Sequence, residues 1–248
     1  FLIASEIRKK IKKIKKKEKI FDPNICQKYL KKFKFILTND QIKAMKEINN
    51  DLKSKQRMFR LLQGDVGSGK TIIALIAALN VIKSGFQVAL MVPTEMLAKQ
   101  HYNFASDLFG KDISIELLTG KTEYKQKKST LENIKQNKIK LIIGTHALFQ
   151  KKVDYKNLGL IIIDEQHKFG VRQRKELSDK GGNNCDVLVM SATPIPRTMI
   201  MTIYGDMDVT LIKEKPKNRK AITTYSKLET KVDEIIKFCK KEISSGNQ

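Results

Sequence analysis

The sequence predicts an α/β fold built on a mostly parallel sheet with helices on both faces. Short apolar segments alternate along the chain with longer stretches of helical periodicity, as in proteins whose strands are each followed by a covering helix. One segment, residues 160–163, consists only of Leu and Ile, which is typical of a central strand buried on both sides. A glycine-rich loop between the first strand and the next helix is the third feature that indicates this class.

The individual elements follow from these patterns in chain order. Strands are predicted at about residues 59–63, 87–92, 114–118, 140–144, 158–163 and 186–191. Helices are predicted at about residues 39–52, 70–84, 94–109, 122–136 and 171–180. Residues 35–211 are therefore expected to form one domain. Residues 212–248 are expected to be a basic linker, followed by an amphipathic helix at 230–243 that begins a further unit.

The first 34 residues are strongly basic. They hold 13 basic and three acidic side chains, so their net charge is 13 − 3 = +10. Isoleucine recurs at positions 3, 7, 11 and 14, which is one stripe of an amphipathic helix whose other faces are almost all Lys. Residues 22–24 (Asp-Pro-Asn) end this helix before a short second one at 25–34. Residues 1–34 are predicted to be a helical linker from an upstream domain, either solvated or facing phosphates.

The charge of the whole chain allows two explanations. It has 49 Lys and Arg against 26 Asp and Glu, a formal net charge of +23, which suggests a polyanionic partner such as nucleic acid. Only seven of the basic residues are Arg, however, and such an excess of Lys also arises from an AT-rich genome. Because 41% of the residues are apolar, the chain can build a core, which excludes a disordered basic protein.

Cysteine usage and hydropathy indicate the compartment. Cys26, Cys185 and Cys239 lack metal-ligand or framework spacing, so we expect no disulfide and no structural zinc, and a cytoplasmic location. The longest apolar stretch, residues 72–82, is shorter than the roughly 20 residues that cross a bilayer, so no membrane partner is expected. The chain begins with Phe rather than Met, and we expect it to be part of a longer one.

The glycine-rich loop carries the strongest chemical signal. Residues 64–71, Gly-Asp-Val-Gly-Ser-Gly-Lys-Thr, match the pattern G-x-x-x-x-G-K-[ST] after a strand and before a helix. Glycines let backbone N–H groups point at phosphate oxygens, and the helix adds its positive N-terminal end. Lys70 is expected to reach the β- and γ-phosphates, and the Thr71 hydroxyl is expected to bind Mg²⁺. The nucleotide-binding residues are predicted to be Gly64, Gly67, Ser68, Gly69, Lys70 and Thr71.

An acidic pair follows the apolar segment at residues 160–163. Carboxylates at the end of a buried strand can hold a hydrated Mg²⁺ and orient a water molecule. Asp164 is predicted to bind the metal, directly or through water, and Glu165 to position and polarise the attacking water. An Asp-Glu pair alone is also common at ordinary strand-end turns. The phosphate loop about 95 residues upstream favours the catalytic interpretation.

The acidic pair continues as Asp164-Glu165-Gln166-His167, which resembles motif II of the superfamily 2 helicases. Residues 64–71 are similar to motif I of that family, and residues 191–198, Ser-Ala-Thr-Pro-Ile-Pro-Arg-Thr, to motif III. The resemblance runs from about residue 35 to the end and is closest to bacterial branch-migration DNA helicases. It implies a RecA-like P-loop NTPase domain that uses ATP and Mg²⁺, with Lys70, Asp164, Glu165 and His167 in the catalytic set.

Further segments resemble other helicase motifs. Gln41 resembles the residue that reads adenine, although without the phosphate loop it would be interpreted as a surface side chain behind a Thr38 N-cap. Three segments that each follow a strand resemble motifs that contact DNA, with the residues Pro93, Thr94, Thr119, Gly120, Thr145 and His146. They are expected to meet the DNA backbone without reading bases, as a translocase requires. Taken singly, each is also compatible with plain capping at a strand end.

The resemblance assigns coupling roles to a further group. His167 is implied to connect the nucleotide with motif III, not to bind metal or transfer protons. Ser191 and Thr193 are implied to hydrogen-bond towards motif II, so that loss of the γ-phosphate is felt near the DNA. Arg197, in the same motif, faces nucleotide, DNA or a second lobe, and these alternatives stay open. For His101, a structural role in its helix is favoured.

Together these features imply a motor lobe that couples ATP hydrolysis to translocation on, and remodelling of, branched or duplex DNA in recombination and repair. A second helicase lobe with an arginine finger and a wedge domain of the same full-length chain are the implied partners. The 248-residue chain alone is therefore expected to bind nucleotide but to hydrolyse it slowly. A transcription-repair coupling translocase is one alternative, although that class usually has Glu in place of Gln166. A non-catalytic nucleotide switch is another, and the intact carboxylates Asp164 and Glu165 disfavour it.

Overall fold

The computed structural model describes residues 15–22, 24–31, 36–150, 152–164, 182–193, 207–214 and 226–246. The chain divides into two compact units, residues 1–216 and 217–248. In the first, the described strands are β1 (Phe59–Gly64), β2 (Gln87–Met91), β3 (Ile115–Leu118), β4 (Leu141–Gly144), β5 (Leu158–Ile163), β6 (Asp186–Ser191) and β7 (Asp208–Ile212). They form one sheet in the order β3-β4-β2-β5-β6-β1-β7, and all pairings between these strands are parallel.

The described helices are α1 (Ile25–Leu30), α2 (Asn39–Lys53), α3 (Lys70–Lys83), α4 (Glu95–Phe109), α5 (Tyr124–Lys135) and α6 (Val232–Ser244). Short 3₁₀ turns occur at Gly110–Asp112, His146–Phe149, Gly182–Asn184 and Glu229–Lys231. The predicted α/β class, with helices on both faces of a parallel sheet, is confirmed.

Alternate residues of the central strands face opposite sides of the sheet, and both sides are covered. On β5, Leu160 and Ile162 belong to the core cluster that contains buried residues of α2, α3 and α4. Ile161 and Ile163 belong to a second cluster on the other face, which includes Ile134 of α5. Because both faces are buried, the strand has no polar position, which explains its continuous apolar sequence.

The predicted bounds of six strands agree with the structure to within one residue, whereas β7 was not predicted. β7 lies at the edge of the sheet and pairs only with β1 among the described strands, and two of its five residues are exposed. Polar residues, Asp208 and Thr210, alternate with apolar ones in this short strand, and the sequence interpretation ended the domain at residue 211, inside it. The helix predicted at 171–180 lies outside the described residues.

The helix predicted through the basic N-terminal region is wrong for residues 15–22, which contain no helical turn. Lys15 forms an antiparallel bridge with Gln56, and the N–H of Lys16 donates to the carbonyl of Lys55 at 2.9 Å. The segment is extended because its backbone pairs with the chain between α2 and β1. The isoleucine stripe at positions 3–14 lies outside the described residues, and the second helix is found as α1.

Two lysines of this segment are buried, so neither the solvated nor the phosphate-facing interpretation fits them. The side chains of Lys16 and Lys19 are both 0% exposed. Their ammonium groups lie 2.7 and 2.6 Å from Oδ2 of Asp186, which is fully buried at the start of β6. Both ammonium groups bond to this one carboxylate, and the segment is thereby attached to the edge of the sheet where the strands begin.

The second unit is described from residue 226 to 246. Its helix α6 confirms the amphipathic helix predicted at 230–243. The apolar residues Ile235, Ile236 and Phe238 on this helix are exposed. Among all the described residues, no helix combines the length and hydrophobicity that crossing a membrane requires.

Candidate nucleotide site and sheet edge

The loop between β1 and α3 turns tightly at its glycines. Gly67 and Gly69 have φ angles of 78° and 88°, in the left-handed region that side chains rarely adopt, and Gly69 is the N-cap of α3. A Cβ on Gly64 would lie 2.9 Å from the carbonyl oxygen of Ile212 at the end of β7. Backbone geometry therefore requires glycine at positions 67 and 69, and close packing requires it at position 64.

The loop brings a cation and a hydroxyl group to the start of α3. Lys70 is 9% exposed, and its Nζ donates to the carbonyl oxygens of Gly64 at 2.5 Å and Asp65 at 2.9 Å. Ser68 is 2% exposed, and its Oγ has no hydrogen-bond partner among the described residues. Thr71 is half-buried in the first turn of α3. A buried ammonium group, an unpaired hydroxyl and a helix N-terminus are suited to a phosphate-sized anion.

Gln41 is attached to the same loop. The predicted Thr38 cap exists as a full capping box, in which the backbone N–H of Thr38 donates to Gln41 Oε1 at 3.0 Å. The Gln41 amide is not at the surface, because Nε2 donates to the carbonyl of Ser68 at 2.8 Å and the residue is 3% exposed. The start of α2 and the phosphate loop are therefore held together by one side chain.

Asp164 follows β5 at the same edge of the sheet. Its backbone N–H donates to the carbonyl of Met91 at 2.9 Å, which continues the pairing of β5 with β2. Its Oδ2 lies 3.0 Å from Nε2 of His101 on α4, and the two side chains are 13% and 9% exposed. Glu165 and His167 lie outside the described residues.

The ends of β1 and β6 are connected through a residue that the sequence analysis did not select. Gln63, the polar residue before the end of β1, donates from Nε2 to the carbonyl of Thr193 at 2.9 Å. The hydroxyl of Ser191 lies 3.0 Å from that of Thr193. The predicted contacts of these two residues with motif II stay a prediction, because Glu165, His167 and Arg197 are outside the described residues. A polar residue directly after Leu61 and Leu62 in a buried strand was the available signal for Gln63.

The remaining candidate residues follow the three strands on the other half of the sheet. Met91 of β2, Gly144 of β4 and Leu118 of β3 lie in register with one another. The loops after these strands therefore lie side by side, and they carry Pro93, Thr94, Thr119, Gly120, Thr145 and His146. A Cβ on Gly144 would overlap the carbonyl of Leu118, so this close approach of β3 and β4 depends on glycine.

The individual side chains of these loops differ in what they contact. Thr94 is exposed and caps α4, accepting from the N–H of Leu97 at 3.3 Å, whereas Pro93 before it is half-buried. The hydroxyl of Thr119 accepts from the N–H of Lys121 at 3.3 Å, which is the plain capping that the sequence also allowed.

The loop after β4 carries Thr145, whose side chain does not act as a cap. Thr145 is 3% exposed, and its Oγ1 has no hydrogen-bond partner within the part of the chain that the structure describes. His146 and Gly120 are exposed beside it on the same edge. Thr94, Gly120 and His146 are therefore the exposed residues among these six candidates, whereas Thr119 and Thr145 are buried.

A phosphate loop and an acidic strand end on a parallel sheet define a P-loop NTPase domain. The model of the DEAD/DEAH box helicase family matches residues 38–202, so the chain belongs to that family. Within it, the chain is 50% identical over 240 residues to the ATP-dependent DNA helicase RecG of Aquifex aeolicus, covering 94% of this chain and 30% of that protein. It is also 50% identical over 229 residues to RecG of Bacillus subtilis, with coverages of 92% and 33%.

Solved structures agree with these sequence matches. A structure of RecG bound to a three-way DNA junction superposes with a TM-score of 0.88 at 42% identity, covering 99% of this chain and 33% of that one. The DEAD-box helicase Mss116 superposes with a TM-score of 0.65 at 17% identity, which supports the fold alone. The resemblance predicted from the sequence is confirmed. The chain spans about a third of the length of the RecG proteins it matches.

Proposed function

We propose that this chain is the ATP-binding motor lobe of a RecG-like helicase that couples ATP hydrolysis to translocation on, and remodelling of, branched DNA. The observation that carries the proposal is the arrangement of one sheet edge. The phosphate loop and Asp164 lie on it beside three loops of the DNA-contact type. The RecG relatives, which are named ATP-dependent DNA helicases, and the RecG complex with a DNA junction support the same function.

The loop fits the phosphates of ATP. Lys70 and the buried hydroxyl of Ser68, which has no partner among the described residues, are donors beside the positive end of α3. A bound phosphate would replace the two loop carbonyls that now accept from Lys70, and charge-assisted bonds to phosphate are stronger than bonds to a neutral carbonyl. Gln41, whose amide is bonded to the loop, is the proposed link to the adenine base.

The donor set also fits Mg²⁺, which prefers oxygen ligands. Thr71 and Asp164 are the residues that would hold it, and when bound the ion would neutralise charge on the phosphates. Glu165, adjacent to Asp164, is proposed to orient the attacking water. His167 is proposed to transmit the state of the nucleotide to Ser191, Thr193 and Arg197.

DNA is proposed to run along the loops after β2, β3 and β4. Thr94 and His146, which are exposed there, would contribute polar contacts to the backbone, with Thr119 and Thr145 buried behind them, so binding would depend on backbone shape rather than on base sequence. A second helicase lobe and a wedge domain of the full-length protein are the proposed partners, since the chain spans about a third of its relatives. Unwinding of forks is then a property of the whole protein.

Nucleotide binding to the 248-residue chain tests the first part of the proposal. Calorimetric titration with Mg-ATP is expected to show binding that Lys70→Ala weakens by roughly 100-fold, because the main cation at the phosphates is lost. The matched control is Lys83→Ala, which removes an exposed lysine from the opposite end of the same helix. Equal affinity of Lys70→Ala and the unmodified chain would refute the nucleotide site.

ATPase activity of the full-length protein tests the catalytic part. Branched DNA is expected to stimulate hydrolysis, and Glu165→Gln is expected to lower the stimulated rate by about 100-fold or more while ATP still binds. Unchanged turnover in this variant would show that Glu165 does not activate the water. Stimulation by RNA but not by DNA would overturn the proposed substrate.

A further inference from the structure

His101 contacts the carboxylate that is proposed to hold the metal, although it belongs to a different layer of the fold. It lies in the middle of α4, 63 residues before Asp164 in sequence, and its Nε2 is 3.0 Å from Asp164 Oδ2. Both side chains are largely buried, at 9% and 13% exposure. A hydrogen bond removed from water in this way restricts the orientation of both groups.

The chemistry of the pair indicates the direction of the hydrogen bond. A carboxylate accepts hydrogen bonds and does not donate them, so Nε2 of His101 is the donor. The bond is made to Oδ2 of Asp164. Carboxylates that bind metals are commonly oriented by such outer partners, whose loss typically weakens metal binding by about 10- to 100-fold.

The same helix begins at the proposed DNA edge. Thr94 caps α4 and is exposed there, and His101 follows seven residues later, about 10 Å along the helix axis. The backbone of Asp164 is paired with Met91 at the end of β2, the strand that leads into α4. A shift of α4 would therefore move His101 against Asp164, whose main chain is held by the sheet.

We propose that His101 is a positioning residue: its hydrogen bond orients Asp164 for Mg²⁺ and connects that carboxylate to the helix that begins at the DNA edge. This inference rests on the proposed function. It assigns to His101 a role beyond packing, and it predicts that the strength of Mg²⁺ binding and the response to DNA depend on this one donor.

The Mg²⁺ dependence of nucleotide binding tests the positioning role without requiring turnover. ATP affinity of the 248-residue chain is measured by calorimetry across a series of Mg²⁺ concentrations. His101→Leu has a similar volume but no hydrogen-bond donor. It is expected to need about 10-fold more Mg²⁺ to reach half of the full Mg²⁺-dependent increase in ATP affinity. His101→Gln, which can place an N–H near the position of Nε2, is expected to stay close to the unmodified chain.

A neighbouring residue provides the control. Gln100→Ala changes an exposed side chain on the same helix and is expected to leave the Mg²⁺ dependence unchanged. Circular dichroism verifies that each variant is folded. The inference is wrong if His101→Leu shows the Mg²⁺ dependence of the unmodified chain, or if His101→Gln is impaired as much as His101→Leu. Failure of the proposed function is separate, since it would appear as equal ATP affinity of Lys70→Ala.

The connection to DNA is tested in the full-length protein by linkage. If Mg-ATP changes the affinity for branched DNA by some factor, DNA changes the affinity for Mg-ATP by the same factor. That factor is expected to move towards one in His101→Leu and to be retained in His101→Gln and Gln100→Ala. A coupling factor that is the same in all these variants would show that α4 does not communicate through His101.

Discussion

Replacing Asp186 by Asn is predicted to destabilise the first unit strongly, because its carboxylate is the shared charge partner of two buried lysines. Asp186 Oδ1 accepts from Lys16 at 2.9 Å and from the N–H of Met58 at 2.7 Å, while Oδ2 accepts from both Lys16 and Lys19. Burial is the main reason that the pKa of Lys16 is lowered from its usual value, and the charge of Asp186 opposes that shift. The variant keeps the shape of the side chain, removes the charge and replaces one accepting oxygen by an NH₂ group, which can only donate.

The expected loss follows from the burial of the three side chains, each of which is 0% exposed. Removing one partner of a buried ion pair typically costs about 3–5 kcal/mol, since the remaining charge stays in a poorly solvated environment. For a domain of this size, each kcal/mol lowers the melting temperature by about 2–4 °C, so a decrease of roughly 6–20 °C is expected. A loss of about 3–5 kcal/mol is a large part of the roughly 5–15 kcal/mol that stabilises a typical domain.

Urea unfolding followed by circular dichroism measures the free energy of unfolding. The control is Asp154→Asn, which removes an exposed partner of Lys135 and is expected to change stability by no more than about 1 kcal/mol. Lys16→Met in the Asp186→Asn background is expected to recover part of the loss, because one uncompensated charge is gone. If Asp186→Asn lowers the free energy of unfolding by no more than Asp154→Asn does, the carboxylate of Asp186 does not stabilise the buried lysines.

Three further predictions concern single positions. Gly69→Ala is expected to destabilise the chain and abolish nucleotide binding, whereas Gly85→Ala, with nearly the same φ and no described atom near the added methyl group, is expected to cost only about 1–2 kcal/mol. A thiol reagent is expected to modify exposed Cys239 rapidly and Cys185 only on unfolding, because burial raises the pKa of Cys185 to about 12. Two backbone N–H groups beyond β7 lower the pKa of Asp40, so its contribution is present above the unfolded value of 3.8 and lost as the pH falls through the folded value. Unfolding experiments at about pH 7 and about pH 2 are therefore expected to show a deficit of Asp40→Asn that disappears in acid.

The parts of the site that could be predicted are those encoded by neighbouring residues. The phosphate loop is contiguous, so its spacing, its glycines and the following helix could all be identified from eight positions, 64–71. Asp164 could be identified because it directly follows an apolar segment. The carboxyl ends of parallel strands lie at one edge of the sheet, which is a general property of such sheets. The phosphate loop and Asp164 are therefore expected at the same edge.

The features that could not be predicted depend on contacts between distant segments. His101 has no local pattern that separates it from a histidine packed in a helix, since its partner is 63 residues away. Lys16 and Lys19 continue a run of lysines that resembles a solvated face, and their partner Asp186 is 170 and 167 residues away. A signal was present in Asp186, an acidic residue at the start of a strand buried on both faces, but it does not indicate which basic residue it meets.

The strand order explains why the contact between His101 and Asp164 lies where it does. β5, β6 and β1 carry the candidate nucleotide residues, and β3, β4 and β2 carry the candidate DNA residues, so the two groups meet between β2 and β5. Asp164 is paired to β2 through its backbone and to α4 through its side chain, at that boundary. A motor lobe has to couple the state of its nucleotide to its affinity for DNA. Side-chain contacts therefore connect α4, which begins at Thr94, through His101 to the carboxylate proposed to hold the metal.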